Sequence, residues 1–137
     1  MYEYRVKEVL KVVDGDTIDV VIDLGFDISF TSRVRLAGID TPESRTKDAR
    51  EKILGVEVKE YLKKALEGAT DIVIRTEKVD SSEKYGRILG WVFVNRQTDS
   101  LNMELVNKGY AWSYDGGTKS KDFEELLRKR RWNLYLL

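Results

Sequence analysis

Three short stretches of this chain carry residue types that could do chemistry together. Asp16 lies in "DGDT" (14–17); Arg35, Asp40, Thr41 and Glu43 lie in "RLAGIDTPE" (35–43); Arg87 ends "EKYGR" (83–87). Carboxylates and a backbone carbonyl are ligands for a hard divalent cation such as Ca²⁺, which takes several oxygens at about 2.3–2.6 Å. Asp16, Asp40 and the Thr41 carbonyl could supply them if the two stretches meet. Glu43 would then address a water beside the cation. Arg35 and Arg87 would supply paired hydrogen bonds to an anion whose charge grows during phosphoryl transfer. The chain's single proline, Pro42, stands between these acids, where its fixed φ limits the freedom of a loop whose charges repel. Taken singly, each stretch also reads as something plainer: a hairpin turn, a charged loop after a strand, a solvated loop.

The composition narrows the alternatives. With no histidine and no cysteine among 137 residues, Ser-His-Asp triads, Cys-His pairs and His or Cys zinc sites are excluded. A hydrolase so restricted must work with carboxylates, Lys, Arg, Tyr or Ser and a cation bound through oxygen. Twenty-four basic and twenty-four acidic residues cancel, so nucleic acid would have to be held by local rather than bulk charge. No apolar run approaches the roughly 20 residues of a membrane span. No signal peptide is visible at the start, which leans the expected location towards the cytoplasm; a secreted protein is expected if a signal was removed. Neither repeats nor Pro/Gly/Ser-rich linkers interrupt the chain, so residues 1–137 are expected to form one domain.

The positioning elements follow from periodicity. "RVKEVLKVV" (5–13) reads as a strand, and Asp-Gly introduces a hairpin to a second over 17–23, with Ile18, Val20 and Ile22 inward. A third, over 28–37, places Ile28, Phe30, Val34 and Leu36 on one face and Arg33 and Arg35 on the other. Leu54, Val58, Tyr61, Leu62 and Ala65 mark the apolar face of a helix over about 48–67. Asp48 and Glu51 resemble a capping box, Gly68 ends the helix, and Gly55 reads as a mild defect. Strands over 71–76 and 88–94 follow, the latter apolar on both faces. Helices over 100–109, capped by Ser100, and 121–131, with Phe123, Leu126 and Leu127 inward, complete the chain. "RKRR" (128–131) reads as a solvent-facing stripe. Tyr110, Trp112 and Tyr114 are candidates for stacking on bases, with at least one of them in the core. The order predicts an α+β fold: a five-stranded OB-fold β-barrel with three helices.

At these residues the chain resembles the staphylococcal nuclease (thermonuclease) family. "VDGDT", "VRLAGIDTPES", "EKYGR" and "LNMELVNKGYA" match its motifs in order, spanning about residues 9 to 112. The resemblance implies Ca²⁺-dependent hydrolysis of DNA and RNA, single-stranded or frayed, leaving 3′-phosphate ends, by a protein expected to be a monomer. It assigns metal ligation to Asp16, Asp40 and the Thr41 carbonyl. It assigns the base or water-positioning role to Glu43 and phosphate contacts to Arg35 and Arg87. Lys84 and Tyr85 would lie near a bound nucleotide's phosphate and Tyr114 beside its base. The chain departs from the family in a shorter third helix and in the basic residues after Glu43. A non-catalytic OB-fold module holding single strands or a protein partner is the alternative, and a phosphodiesterase for small nucleotides a third reading.

Overall fold

The computed structural model describes residues 2–76, 87–117, 119 and 121–135. Five strands close a barrel: β1 (Tyr2–Asp14), β2 (Thr17–Asp23), β3 (Ser29–Leu36), β5 (Ile72–Thr76) and β6 (Ile88–Val94). They run in the order β1-β2-β3-β6-β5. β1 and β5 pair antiparallel to close the barrel on one side, and β3 and β6 pair parallel on the other. Three shifts of register along β1 against β2 give that strand the extra twist that closing a small barrel requires. The expected OB-fold α+β architecture is the one found.

Alternation builds the interior. Ile18, Val20 and Ile22 of β2, Val34 and Leu36 of β3, Ile74 of β5 and Val92 of β6 are all buried. Helix α1 (Ala49–Glu67) adds Leu54, Val58, Leu62 and Leu66 along one stripe. Helix α2 (Leu101–Asn107) adds Leu101 and Leu105, and α3 (Phe123–Tyr135) adds Leu126. Both expected N-cap side chains are in place: Asp48 accepts from the Glu51 amide and Ser100 from the Met103 amide.

Several expectations are corrected. Ile28 and Phe30 are exposed, because every residue from Asp23 to Thr31 is in solvent and the β2–β3 tip offers neither face to the interior. The 88–94 strand is buried on one face only; on the other, Trp91 and Phe93 are half-buried and the Arg75 guanidinium stacks 4.2 Å from the Phe93 ring. Within "RKRR", Arg130 is a structural residue: its Nε donates to the Gly109 carbonyl at 3.0 Å, it pairs with Glu57, and it stacks on Tyr110. Trp112 is the core aromatic, its indole N–H donating to the Asp122 carbonyl.

Two strands of two residues each were not foreseen. β4 (Ile39–Asp40) pairs antiparallel with β7 (Trp112–Ser113), Asp40 opposite Trp112. Beyond them the Tyr114 amide donates to the Gly38 carbonyl at 2.8 Å. Gly38 has φ +75, and a Cβ there would meet the Trp91 ring at 2.6 Å, so the link between β3 and β4 needs glycine on both counts.

Candidate active site

Asp16 occupies the second position of the two-residue turn between Asp14 and Thr17. Its carbonyl accepts from the Leu36 amide at 2.8 Å, and its carboxylate accepts from the Thr17 hydroxyl at 2.9 Å. The register of β2 on β3 sets Thr17 opposite Arg35. Strand pairing thus delivers the aspartate to the arginine across two chain segments.

Asp40 arrives by another route. Asn102 of α2, fully buried, donates to the carbonyls of Ala37 and Gly90 and accepts from the Val92 amide. It ties the segment between Arg35 and Asp40 to β6. With β4 pinned on β7, Asp40 comes to the same arginine from the other side. Arg35, only 8% exposed, lies 3.4 Å from Asp16 and 3.7 Å from Asp40, and its Nη1 donates to the Leu36 carbonyl at 2.9 Å. One buried guanidinium therefore stands between both carboxylates.

Arg87 directly precedes β6, whose parallel pairing puts Ile88 opposite Val34 and Leu89 opposite Arg35. Burial first, then the neighbouring Arg35, push the Arg87 guanidinium below its ordinary pKa, against the pull of Asp16. Two cations gathered in this way are a place for an anion. Glu43, an exposed residue, and the buried Thr41 line the same cleft of about 280 Å³ as Asp16, Arg35, Asp40 and Arg87. A larger groove, about 410 Å³, runs between β1 and the end of α1 and contains none of these residues.

The acids are short of compensation. Burial raises the Asp40 carboxyl above its usual value; Asp16 adds to the rise, while Lys119 and Arg35 oppose it. Burial likewise raises Asp14, with Asp16 adding to it and Ser44 opposing. The buried Oδ1 of Asp14 and Oγ1 of Thr41 have no hydrogen-bond partner. Among the described residues no three His, Cys, Asp or Glu side chains are grouped to hold a metal. A cation here would draw on two carboxylates, a backbone carbonyl and water, a donor set suited to Ca²⁺ and not to zinc.

Of the remaining expected residues, Tyr114 stands beside this cleft rather than in its wall. Its hydroxyl donates to the Gly117 carbonyl at 2.8 Å, and Lys119 lies 5.8 Å from its ring. Lys84 and Tyr85 lie outside the described residues.

Four contributors were not foreseen. Asp14 lines the cleft, and Lys119 reaches within 3.5 Å of Asp40. Gly55 is a requirement rather than a defect: a Cβ there would stand 2.3 Å from the Glu43 carbonyl oxygen. Glu51 does not complete the expected capping box. The Asp48 amide bonds Thr46 instead, and the Glu51 carboxylate accepts the Glu43 amide. Both residues carried a signal: an acid on the apolar stripe of a helix and a glycine within it. Nothing in the sequence marks Lys119.

The staphylococcal nuclease homologue model matches residues 33–132. An uncharacterised protein of Methanocaldococcus jannaschii is 30% identical over 88% of this chain and 65% of its own length. Protein ParB of Escherichia coli is 33% identical over 87% of this chain and 63% of its own. A micrococcal nuclease of Shigella flexneri is 32% identical over 93% of this chain and 72% of its own. The chain thus spans just under two thirds of the first two relatives, 65% and 63% of their lengths. The matched region takes in Arg35, Asp40, Arg87, α1 and α2 and reaches into α3, and the chain belongs to the staphylococcal nuclease homologue family.

Proposed function

We propose that this protein is a calcium-dependent nuclease that hydrolyses phosphodiester bonds of DNA and RNA with little sequence preference, leaving 3′-phosphate ends. One observation carries the reading: the buried Arg35 guanidinium is held between Asp16 and Asp40, in a cleft that Glu43 and Arg87 also line. Membership of a nuclease family supports the reaction class.

Asp16, Asp40 and the Thr41 carbonyl would hold Ca²⁺. When bound, the ion would neutralise charge on a phosphoryl oxygen and bring water to the site. The chain's own groups do the rest. Arg35, on a barrel strand and fixed by the Leu36 carbonyl, presents donors to the phosphate without having to be ordered first. Arg87, just before β6, adds a second guanidinium, so the charge that develops on the phosphoryl oxygens meets two forks of donors. Glu43 takes up or orients the proton of the attacking water. Lys84, Tyr85 and Tyr114 would contact the bound nucleotide, and single strands or frayed ends would enter most readily because no base pair has to open.

The test is digestion of single-stranded DNA and of RNA with Ca²⁺ or with chelator. Fragments only with Ca²⁺, carrying phosphatase-sensitive 3′ ends, are expected. Uncut complexes in both tubes would replace the nuclease by a binding module. Cleavage confined to mononucleotide substrates would make it a small-nucleotide phosphodiesterase.

A further inference from the structure

The Glu43 backbone is gripped from two sides by the first two turns of α1. On one side the Glu51 Oε2 accepts the Glu43 amide at 3.1 Å. On the other, Gly55, one turn further along the helix, leaves so little room that a Cβ would come within 2.3 Å of the Glu43 oxygen and 2.4 Å of its carbonyl carbon. Glu51 is 4% exposed. It is an acid buried at the amino end of a helix, where the dipole favours negative charge. Lys121, from the segment leading into α3, completes its environment: the ammonium lies 3.2 Å from Oε2 and 3.3 Å from Oε1. The hydrogen bond to Glu51 is the first cause of a raised Lys121 pKa. A buried carboxylate with an ammonium on one side and a peptide N–H on the other is satisfied and held still. Asp48 anchors the same turn by capping the Glu51 amide.

We infer that Glu51 is the positioning residue of this site: seated by Lys121, it fixes the backbone of Glu43 so that an exposed carboxylate is presented to the cleft at one distance. This rests on the nuclease reading and adds to it a residue that touches neither cation nor phosphate. An exposed glutamate has no packing of its own to aim it, and a misplacement near 1 Å at a reacting group costs on the order of 10²-fold in rate. Rigid attachment of its backbone is what the site supplies in place of burial.

The experiment compares Glu51→Ala, Glu51→Asp and Glu51→Gln with the wild type on single-stranded DNA, with the folded fraction set by circular dichroism and Ca²⁺ affinity measured by calorimetry. In Glu51→Ala, kcat is expected to fall on the order of 10²-fold, with KM and Ca²⁺ affinity unchanged, since Glu51 does not line the cleft. Glu51→Asp keeps the charge opposite Lys121 but falls short of the Glu43 amide, so it should lose rate as alanine does; it carries the test if the alanine variant does not fold. Glu51→Gln keeps an acceptor for that amide and should stay within about tenfold of wild type. A folded Glu51→Ala with wild-type kcat overturns the inference, as does a glutamine variant as slow as alanine, or a loss that appears in Ca²⁺ affinity instead. A wild type that cuts nothing with Ca²⁺ present sinks the nuclease reading itself, a result distinct from any of these.

Discussion

The β2–β3 hairpin has two ends that share strands, register and alternation, and they meet opposite fates. At the Thr17–Arg35 end, even a charged guanidinium is buried. At the Asp23–Ser29 end, Ile28 and Phe30 are exposed, and Phe26 at the tip is 98% exposed. The difference lies in what stands opposite each end. The site end is roofed: Val58 of α1 packs so closely on the 14–17 turn that a Cβ on Gly15 would lie 2.5 Å from it, and Asp40 of β4 comes within 3.7 Å of the Arg35 guanidinium. The tip projects past the barrel with both faces wet. A strand's pattern says which residues share a face; only the partner element decides whether that face is interior.

The sharpest way to test the site end is through its charges. Arg35→Ala, Arg87→Ala and Glu43→Ala are each expected to cut the rate of Ca²⁺-dependent cleavage on the order of 10²–10³-fold, read as kcat on single-stranded DNA. The barrel should persist in each. A variant that cleaves normally while folded loses its assigned role.

The same isoleucine-to-alanine change made at both ends measures the roof directly. Ile18 is fully buried and Ile28 is 55% exposed. In urea unfolding, Ile18→Ala should cost about 2–5 kcal/mol, and Ile28→Ala no more than about 0.5 kcal/mol. Equal costs would mean that the tip is covered in solution.

Gly55→Ala tests how closely the roof fits. Helix propensity alone predicts a gain of roughly 1 kcal/mol. The clash with the Glu43 carbonyl predicts a loss of about 1–3 kcal/mol, with slower cleavage because Glu43 is displaced. The sign of the change decides between a helix that tolerates glycine and a helix that requires it.

These sites also mark where the sequence was legible. The closed barrel, the helix caps and the meeting of Asp16, Arg35 and Asp40 followed from alternation, turn chemistry and motif spacing, because each is set by neighbours in the chain or by strand pairing. Glu51, Gly55, Asn102 and Lys119 depend on which backbone atom of a distant segment arrives beside them. Local chemistry reads Gly55 as a defect and Glu51 as half of a capping box; the structure overturns both, with the Glu51 carboxylate on the Glu43 amide and Gly55 packed against the Glu43 carbonyl. What overrode local preference was the backbone of Glu43, delivered by the Pro42 loop. The pairing of Ile39–Asp40 with Trp112–Ser113 was invisible for a related reason: two residues carry no period.

The smallest expected effect lies at the tip. Phe26 and Asp27 have φ of 54° and 60°, the left-handed region, which glycine, asparagine and aspartate tolerate and which costs a phenylalanine on the order of 1 kcal/mol. Burial does not offset that strain, since the Phe26 ring is almost wholly in water. Phe26→Asn removes an unburied ring and installs a residue suited to the conformation, so urea unfolding should show a stabilisation of about 0.5–1 kcal/mol, with cleavage unchanged. A loss exceeding about 1 kcal/mol would mean that the ring packs on something in solution, and the contrast between the hairpin's two ends would then be one of degree.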